Sequence, residues 1–371
     1  MTLNEVFLKI PPKEARGLFK KVEDAAMAAG LTYQDDDGTE RPTPILIRPR
    51  IIRPEQEAYF HGVCEALTAS VEELTRVYQE NKRVRALLPF TEGEERWLGD
   101  IRKKVGKQPQ TVVARIDANV DFAATDWKTS FNFFETNSVG VGGMYMAPTC
   151  AQILRTIVMP VMQRYAPSLV VKDEFDTRQL LLEQMTSHAK VTKKRRINTA
   201  FVQEKDLVGG AGEFPHFVEY FKSKGIPAVH ADPRELRVKG EEIFAGDLPI
   251  DVIYRDSEIS GFIELEDEGH DVTGMKTAFM RNHLSAWDAA IGDALKEPLE
   301  ETGGTVAQRY VEVRTKDFPV LTEDGIALEE FYVVAGFLST PRGLGILGRA
   351  SKKRVVNVGQ RGGLTAVLVL V

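Results

Sequence analysis

Arg115, Asp117, Glu135 and Asn137 are the side chains whose types and spacing in this 371-residue sequence are suited to chemistry. Asp117 and Glu135 are carboxylates, and Asn137 carries an amide oxygen. Delivered from neighbouring strand ends, these are hard oxygen donors of the kind Mg²⁺ takes, above all when phosphate oxygens complete its shell. Arg115 stands two positions before Asp117 and can hold a phosphoryl oxygen through its planar fork. Ser138 follows, then a loop with glycines at 140, 142 and 143, where backbone N–H groups can approach an anion closely. The residues alone also fit a plain β-hairpin with a surface Asp, an edge Glu and a loose loop.

The elements that must position these groups are read from patterning. An apolar run at 111–114 leads into Arg115, and an aromatic run at 131–134 leads into Glu135, so strands are expected across 111–134. Before them the chain is helix-rich. Residues 12–30 form a helix opened by Pro12 and stopped by Gly30, and residues 54–80 a long amphipathic one. Phe60, Val63, Leu67, Val71, Leu74 and Tyr78 share one face of the second, suited to a core or a homodimer seam. A third helix is expected near 94–105. The run Asp35-Asp36-Asp37-Gly38 lacks the spaced ligands and closing Glu of a calcium loop and reads as a solvated turn.

After the glycine loop, helices are expected at 147–166, with Pro160 as a kink or break, and at 175–190. From 197 to 256 the pattern alternates: a strand, a helix at 213–224 closed by Gly225, a strand around 227–232 and a strand at 250–256. That alternation implies a parallel sheet covered on both faces. The run Gly209-Gly210-Ala211-Gly212 does not match a dinucleotide fingerprint and reads as a plain βα loop. Arg255 and Asp256 close the last strand, where parallel sheets bind ligands, but an ion pair at a strand end explains them equally well. A helix at 284–297 and strands at 305–313, 331–339 and 364–371 complete the chain.

Composition narrows the class. A hydrophobic fraction of 43% and a charged fraction of 27% are those of a soluble globular protein. A net charge of −6 disfavours nucleic acid as a partner. No apolar run is long enough to span a membrane, the N-terminus does not read as a signal peptide, and the expected compartment is the cytoplasm. The two cysteines, Cys64 and Cys150, fall in helical patterns and read as buried thiols.

Four motifs in order resemble the circularly permuted ATP-grasp proteins, the group of glutathionylspermidine synthase-like ligases. They are Arg115-x-Asp117 with Glu135-x-Asn137 and the glycine loop; GIPAVHADP at 225–233 with IDVIYR at 250–255; VAQRYV at 306–311; and Gly348-Arg349 followed by Asn357 and Gly362-Gly363. The resemblance implies an α/β (α+β) fold: a circularly permuted ATP-grasp core with an embedded parallel-sheet subdomain. The expected division is a helix-rich region at 1–108, the first part of the core at 109–190, the α/β subdomain at 191–283 and the remaining core strands at 284–371.

The resemblance also implies an activity. Such a ligase uses ATP and Mg²⁺ to phosphorylate a substrate carboxylate, which an amine then attacks to form an amide. By motif match, Asp117, Glu135 and Asn137 would hold Mg²⁺, and Arg115 and Arg349 would contact the transferring phosphoryl. Gln308, Ser138, Gly140, Gly142 and Gly143 would line the nucleotide or substrate. The expected partners are a carboxylate and an amine, small molecules or peptides.

The chain departs from the pattern at one place. It passes from residues 274–279 to 285–287 without room for the family's Lys-Pro strand and its Gly-rich phosphate-covering loop. Lys276 is the nearest lysine, and its surroundings read as helical. This departure supports an alternative: a non-catalytic or partner-dependent relative that keeps the fold. A sugar-nucleotide transferase using the acidic pair is a third reading, and it predicts that Arg349 lies far from Glu135.

Overall fold

The computed structural model describes residues 2–34, 37–87, 89–105, 113–172, 175–205, 212–281, 312–354, 356 and 362–371. The expected helix at 284–297, the strand at 305–311 with Gln308, and Asn357 lie outside the described residues.

A seven-stranded sheet carries the site. Its order is Arg50–Ile52, Gly363–Val369, Gly343–Ser351, Gly325–Thr340, Arg115–Asn119 and Asn132–Asn137, with Thr315–Thr322 also paired to the long strand. That long strand, GIALEEFYVVAGFLST, is rich in β-branched and aromatic residues. Its first half takes Thr315–Thr322 on one edge, and its second half takes Arg115–Asn119 on the same edge. A positive φ of 128° at Gly325 closes the hairpin.

Register sorts the side chains onto two faces. One face carries Ile116, Ala118, Ala335, Phe337 and Val367 and packs on Phe60 and Cys64 of the helix Pro54–Glu80. Phe60 is fully buried, and its ring stacks on Phe131 at 5.7 Å, so this part of the helical stripe is core. On the other face, Leu338, Leu347, Leu364 and Ala366 join the main core with Met144, Ala147 and Ala151. The strand alternation then brings Arg115, Asp117 and Arg349 onto this second face.

The expected parallel unit is present. Strands Val252–Arg255, Thr199–Val202 and Ala228–Ala231 pair in parallel in that spatial order. Phe201 and Tyr254 face the helix Glu213–Ser223 through Phe214, Phe217 and Phe221. Ala200, Val202 and Ile253 face Trp97, Phe262 and Phe279, which come from the helices Glu92–Val105, Ile259–Asp267 and Thr273–Met280. Burial on both sides explains the unbroken apolar runs of these strands.

Three expectations need correction. The strand region at 111–134 reduces to Arg115–Asn119 and Asn132–Asn137 among the described residues. Between them the chain turns, because Asp121 accepts from the Ala123 N–H and Asp126 from the Thr129 hydroxyl. Second, the helix expected at 147–166 ends at Gln163, and the expected kink or break around Pro160 takes the form of a π-turn just before it. The chain runs Met146–Ile153, a π-turn at Leu154–Val158 and then Met159–Gln163. Third, the antiparallel strands Leu236–Lys239, Glu242–Ala245 and Leu248–Ile250, and the strand Thr315–Thr322, are additional to those expected. Among the described residues no helix is long and apolar enough to cross a membrane.

Candidate active site

Asp117 is the hub. Arg115 grips it with both arms of its fork, Nε to Oδ1 at 2.7 Å and Nη2 to Oδ2 at 2.9 Å. Arg349 donates Nη2 to the same Oδ2 at 2.7 Å. Asn137 donates its amide to Asp117 Oδ2 and to Glu135 Oε1, both at 3.2 Å. The sequence-predicted Arg115, Asp117, Glu135, Asn137 and Arg349 therefore converge on one patch of one sheet face. Oδ2 is saturated by three donors, whereas Oδ1 accepts only the Arg115 Nε bond among the hydrogen bonds described here.

The backbone explains the convergence. Arg115 pairs with Asn137 and Asp117 with Glu135 across antiparallel strands, so all four point to one face. A bulge between Asp117 and Ala118 leaves Phe134 as the extra residue and lets Glu135 realign with Asp117. Gly336, opposite Asp117 on the long strand, makes the close approach possible. A Cβ there would lie 2.7 Å from Arg115 Cδ and 2.9 Å from Asp117 Oδ1. A glycine inside the apolar run VVAGFLS was a visible signal of close approach, and the sequence reading passed it by.

Electrostatics follow from this packing. Burial works against the Asp117 charge, but the guanidiniums of Arg115 and Arg349 outweigh it and hold the carboxyl below its usual range. Burial likewise opposes the Arg115 charge, and Asp117 more than restores it. Glu135 is exposed, on a strand at the sheet's edge. Arg349 Nε and Asn119 Oδ1 are buried, and neither has a hydrogen-bond partner among the described residues. Asn119 lies two positions beyond Asp117 on the same strand.

The glycine loop is anchored by a residue that sequence reasoning missed. The buried carboxylate of Glu213 accepts from the N–H of Gly143 at 2.7 Å, Tyr145 at 2.8 Å and Met146 at 3.0 Å. Burial pushes the Glu213 carboxyl up, against the pull of these three N–H groups. Nothing in sequence points from Glu213 to a loop some seventy residues earlier. Arg115 Nη1 donates to the Gly142 carbonyl at 2.7 Å, which ties the loop to the hub. Gly140 has a φ of 54° and leans on Asp256, where a Cβ would meet Oδ1 at 2.1 Å. Val141 N–H donates to the Tyr254 hydroxyl at 3.1 Å. Ser138 is buried at the loop's start. Arg255 is fully buried, donates to the Ser257 carbonyl and lies over the Phe279 ring at 5.3 Å. Asp256 accepts from Gln203 at 3.0 Å. The carboxyl ends of the parallel strands thus border the loop and the hub.

Among the described residues no three His, Cys, Asp or Glu side chains are grouped to hold a metal ion. A divalent cation here would draw on Glu135, the remaining capacity of Asp117 Oδ1, the Asn137 amide oxygen and the oxygens of a ligand.

Comparison with solved structures fits this architecture. The chain is similar in structure to a glutathione synthetase-like effector from Globodera pallida, with a TM-score of 0.60, 10% sequence identity and 98% of each chain covered. The fold is accordingly mixed α+β and of the kind seen in that protein. The likeness supports a glutathione synthetase-like fold and does not single out the glutathionylspermidine synthase-like branch. No protein-family model matches the sequence, and no curated protein does.

Proposed function

We propose that the protein is an ATP- and Mg²⁺-dependent ligase joining a carboxylate to an amine. One observation carries this reading: Arg349, from a different strand and far along the chain, closes on Asp117 beside Arg115, Asn137 and Glu135. The glutathione synthetase-like fold supports it.

The donor set fits a metal–nucleotide. Glu135, Asn137 and Asp117 Oδ1 offer hard oxygens, and the buried unpartnered Nε of Arg349 offers an N–H to an oxyanion. Mg²⁺-bound ATP would supply a phosphoryl that converts the substrate carboxylate to an acyl phosphate, whose acyl carbon the amine would attack with loss of inorganic phosphate. The chain's own groups do the positioning. Arg115 is locked by Asp117 and the Gly142 carbonyl, so its fork keeps one orientation. Asp117 holds the two guanidiniums together despite their mutual repulsion, which concentrates positive charge where phosphoryl charge would develop. Ser138, Gly140, Gly142 and Gly143, in the loop that Glu213 anchors at Gly143, would border the carboxylate substrate.

The test is ADP release by the intact protein with Mg²⁺, screened against amino acids, polyamines and short peptides. Release that depends on both an acid and an amine, and stops with EDTA, supports the ligase. A second reading, a non-catalytic or partner-dependent relative, is favoured by the absence of a Lys-Pro strand and Gly-rich loop between Phe279 and Ser285. Under that reading ATP binds or fails to bind, but no ADP is released with any substrate pair.

A further inference from the structure

A second cationic centre lies away from the hub, on the opposite face of the sheet. Arg50 pairs with Val367, whose side chain belongs to the face under the helix Pro54–Glu80. It is only 5% exposed. The loop after Arg115–Asn119 folds beneath it, so that Nη2 donates to the Val120 carbonyl at 3.0 Å and the guanidinium lies 4.1 Å from the Phe122 ring centre. Among the described residues, buried Nη1 has no partner. Arg48, half-buried and two positions earlier, lies over the Phe318 ring at 5.5 Å, and its buried Nε likewise has no partner among the described residues.

Charge around the pair does not balance. Arg48 repels Arg50, and burial with that repulsion pushes the Arg50 guanidinium down to about 9. The carboxylates that offset them are Asp121, near Arg50, and Asp317, near Arg48. Asp121 is already held by Lys316 at 2.9 Å and by the Ala123 N–H at 3.1 Å. A buried guanidinium without a counter-ion is costly, and removing it from water is compensated only by an anion or a full set of hydrogen bonds. In both arginines the guanidinium lies over an aromatic ring, while one buried N–H at the edge has no partner among the described residues. An oxyanion meets a guanidinium in that edge plane.

We propose that Arg48 and Arg50 form an oxyanion site for a phosphate group, distinct from the Arg115–Asp117–Arg349 hub. Arg50 is its floor and Arg48 its half-open mouth. The site depends on no assumption about the ligase reading, because it uses none of the hub residues.

The test is thermal melting and calorimetric titration of the full chain with inorganic phosphate, at ionic strength matched with chloride. Four proteins are compared: wild type, Arg48→Gln, Arg50→Gln and Arg349→Gln. Phosphate should raise the Tm of wild type and of Arg349→Gln beyond the chloride control. It should bind Arg48→Gln at least about tenfold more weakly, the loss expected for one charge-assisted contact. If Arg50→Gln does not fold, Arg48→Gln carries the test, since its side chain is only half-buried. Repeating the titration with ADP separates free phosphate from the phosphoryl end of a larger ligand, and binding weakened in Arg48→Gln with either ligand supports the site. An unchanged phosphate response in Arg48→Gln, its loss in Arg349→Gln, or an equal effect of chloride would overturn the proposal.

Discussion

Arg349 and Asp117 are 232 positions apart in the chain and 2.7 Å apart in space. Strands separated by a whole subdomain are neighbours here only through the long strand Gly325–Thr340, which pairs Val334 with Arg349 and Gly336 with Asp117. The candidate site is therefore a property of one sheet's register, and the predictions below probe that register and the groups it collects.

Replacing Arg349 by Lys should lower turnover by about 10²-fold or more, because an ammonium cannot bridge Asp117 and a phosphoryl with one planar fork. Steady-state ADP release measures it. Wild-type rates in this variant would take Arg349 out of the site.

Glu135→Ala should abolish Mg²⁺-dependent turnover and leave the Tm nearly unchanged. Glu135 is exposed on an edge strand, and surface substitutions of this kind stay within about 0.5 kcal/mol. A large fall in Tm would mark the residue as structural.

Gly336→Ala tests the close approach at the hub. The added methyl would overlap Arg115 Cδ and Asp117 Oδ1, and overpacking of this sort costs about 1–3 kcal/mol. The unfolding free energy from denaturant melts should drop by that amount, with a lower midpoint and lower activity. An unaltered midpoint would show that the strands separate without penalty.

Asp117→Asn should cost about 3–5 kcal/mol at neutral pH, since it strands two guanidiniums in a buried setting. The folded-state pKa of Asp117 lies below its ordinary value of 3.8. A carboxyl depressed on folding contributes stability that is present above that ordinary value and is lost as pH falls through the folded one. The gap between wild type and Asp117→Asn should therefore be widest above pH 3.8 and narrow on further acidification. Urea midpoints across pH check this, and a gap that grows toward acid would contradict the pairing.

Glu213→Gln exchanges one acceptor oxygen for a donor facing the N–H groups of Gly143, Tyr145 and Met146. The unsatisfied contact should cost about 1–3 kcal/mol and loosen the glycine loop. Faster amide exchange at residues 143–146 is the expected readout, and unchanged protection there would remove Glu213 as the loop's anchor.

Sequence by itself determined the parts whose information is local. Unbroken apolar runs marked the parallel strands because both their faces are buried, and the 3.6-residue stripe marked the helix Pro54–Glu80 because one side meets a sheet. The types and spacing of Arg115, Asp117, Glu135 and Asn137 marked a polar centre, because a strand's two-residue period aims such groups to one face. Tertiary structure alone decided what depends on distant segments. It brought Arg349 to Asp117, set Glu213 under the glycine loop, and folded residues 120–122 beneath Arg50. Strand order and register carry those contacts, and they follow from how whole surfaces pack rather than from any short run of residues.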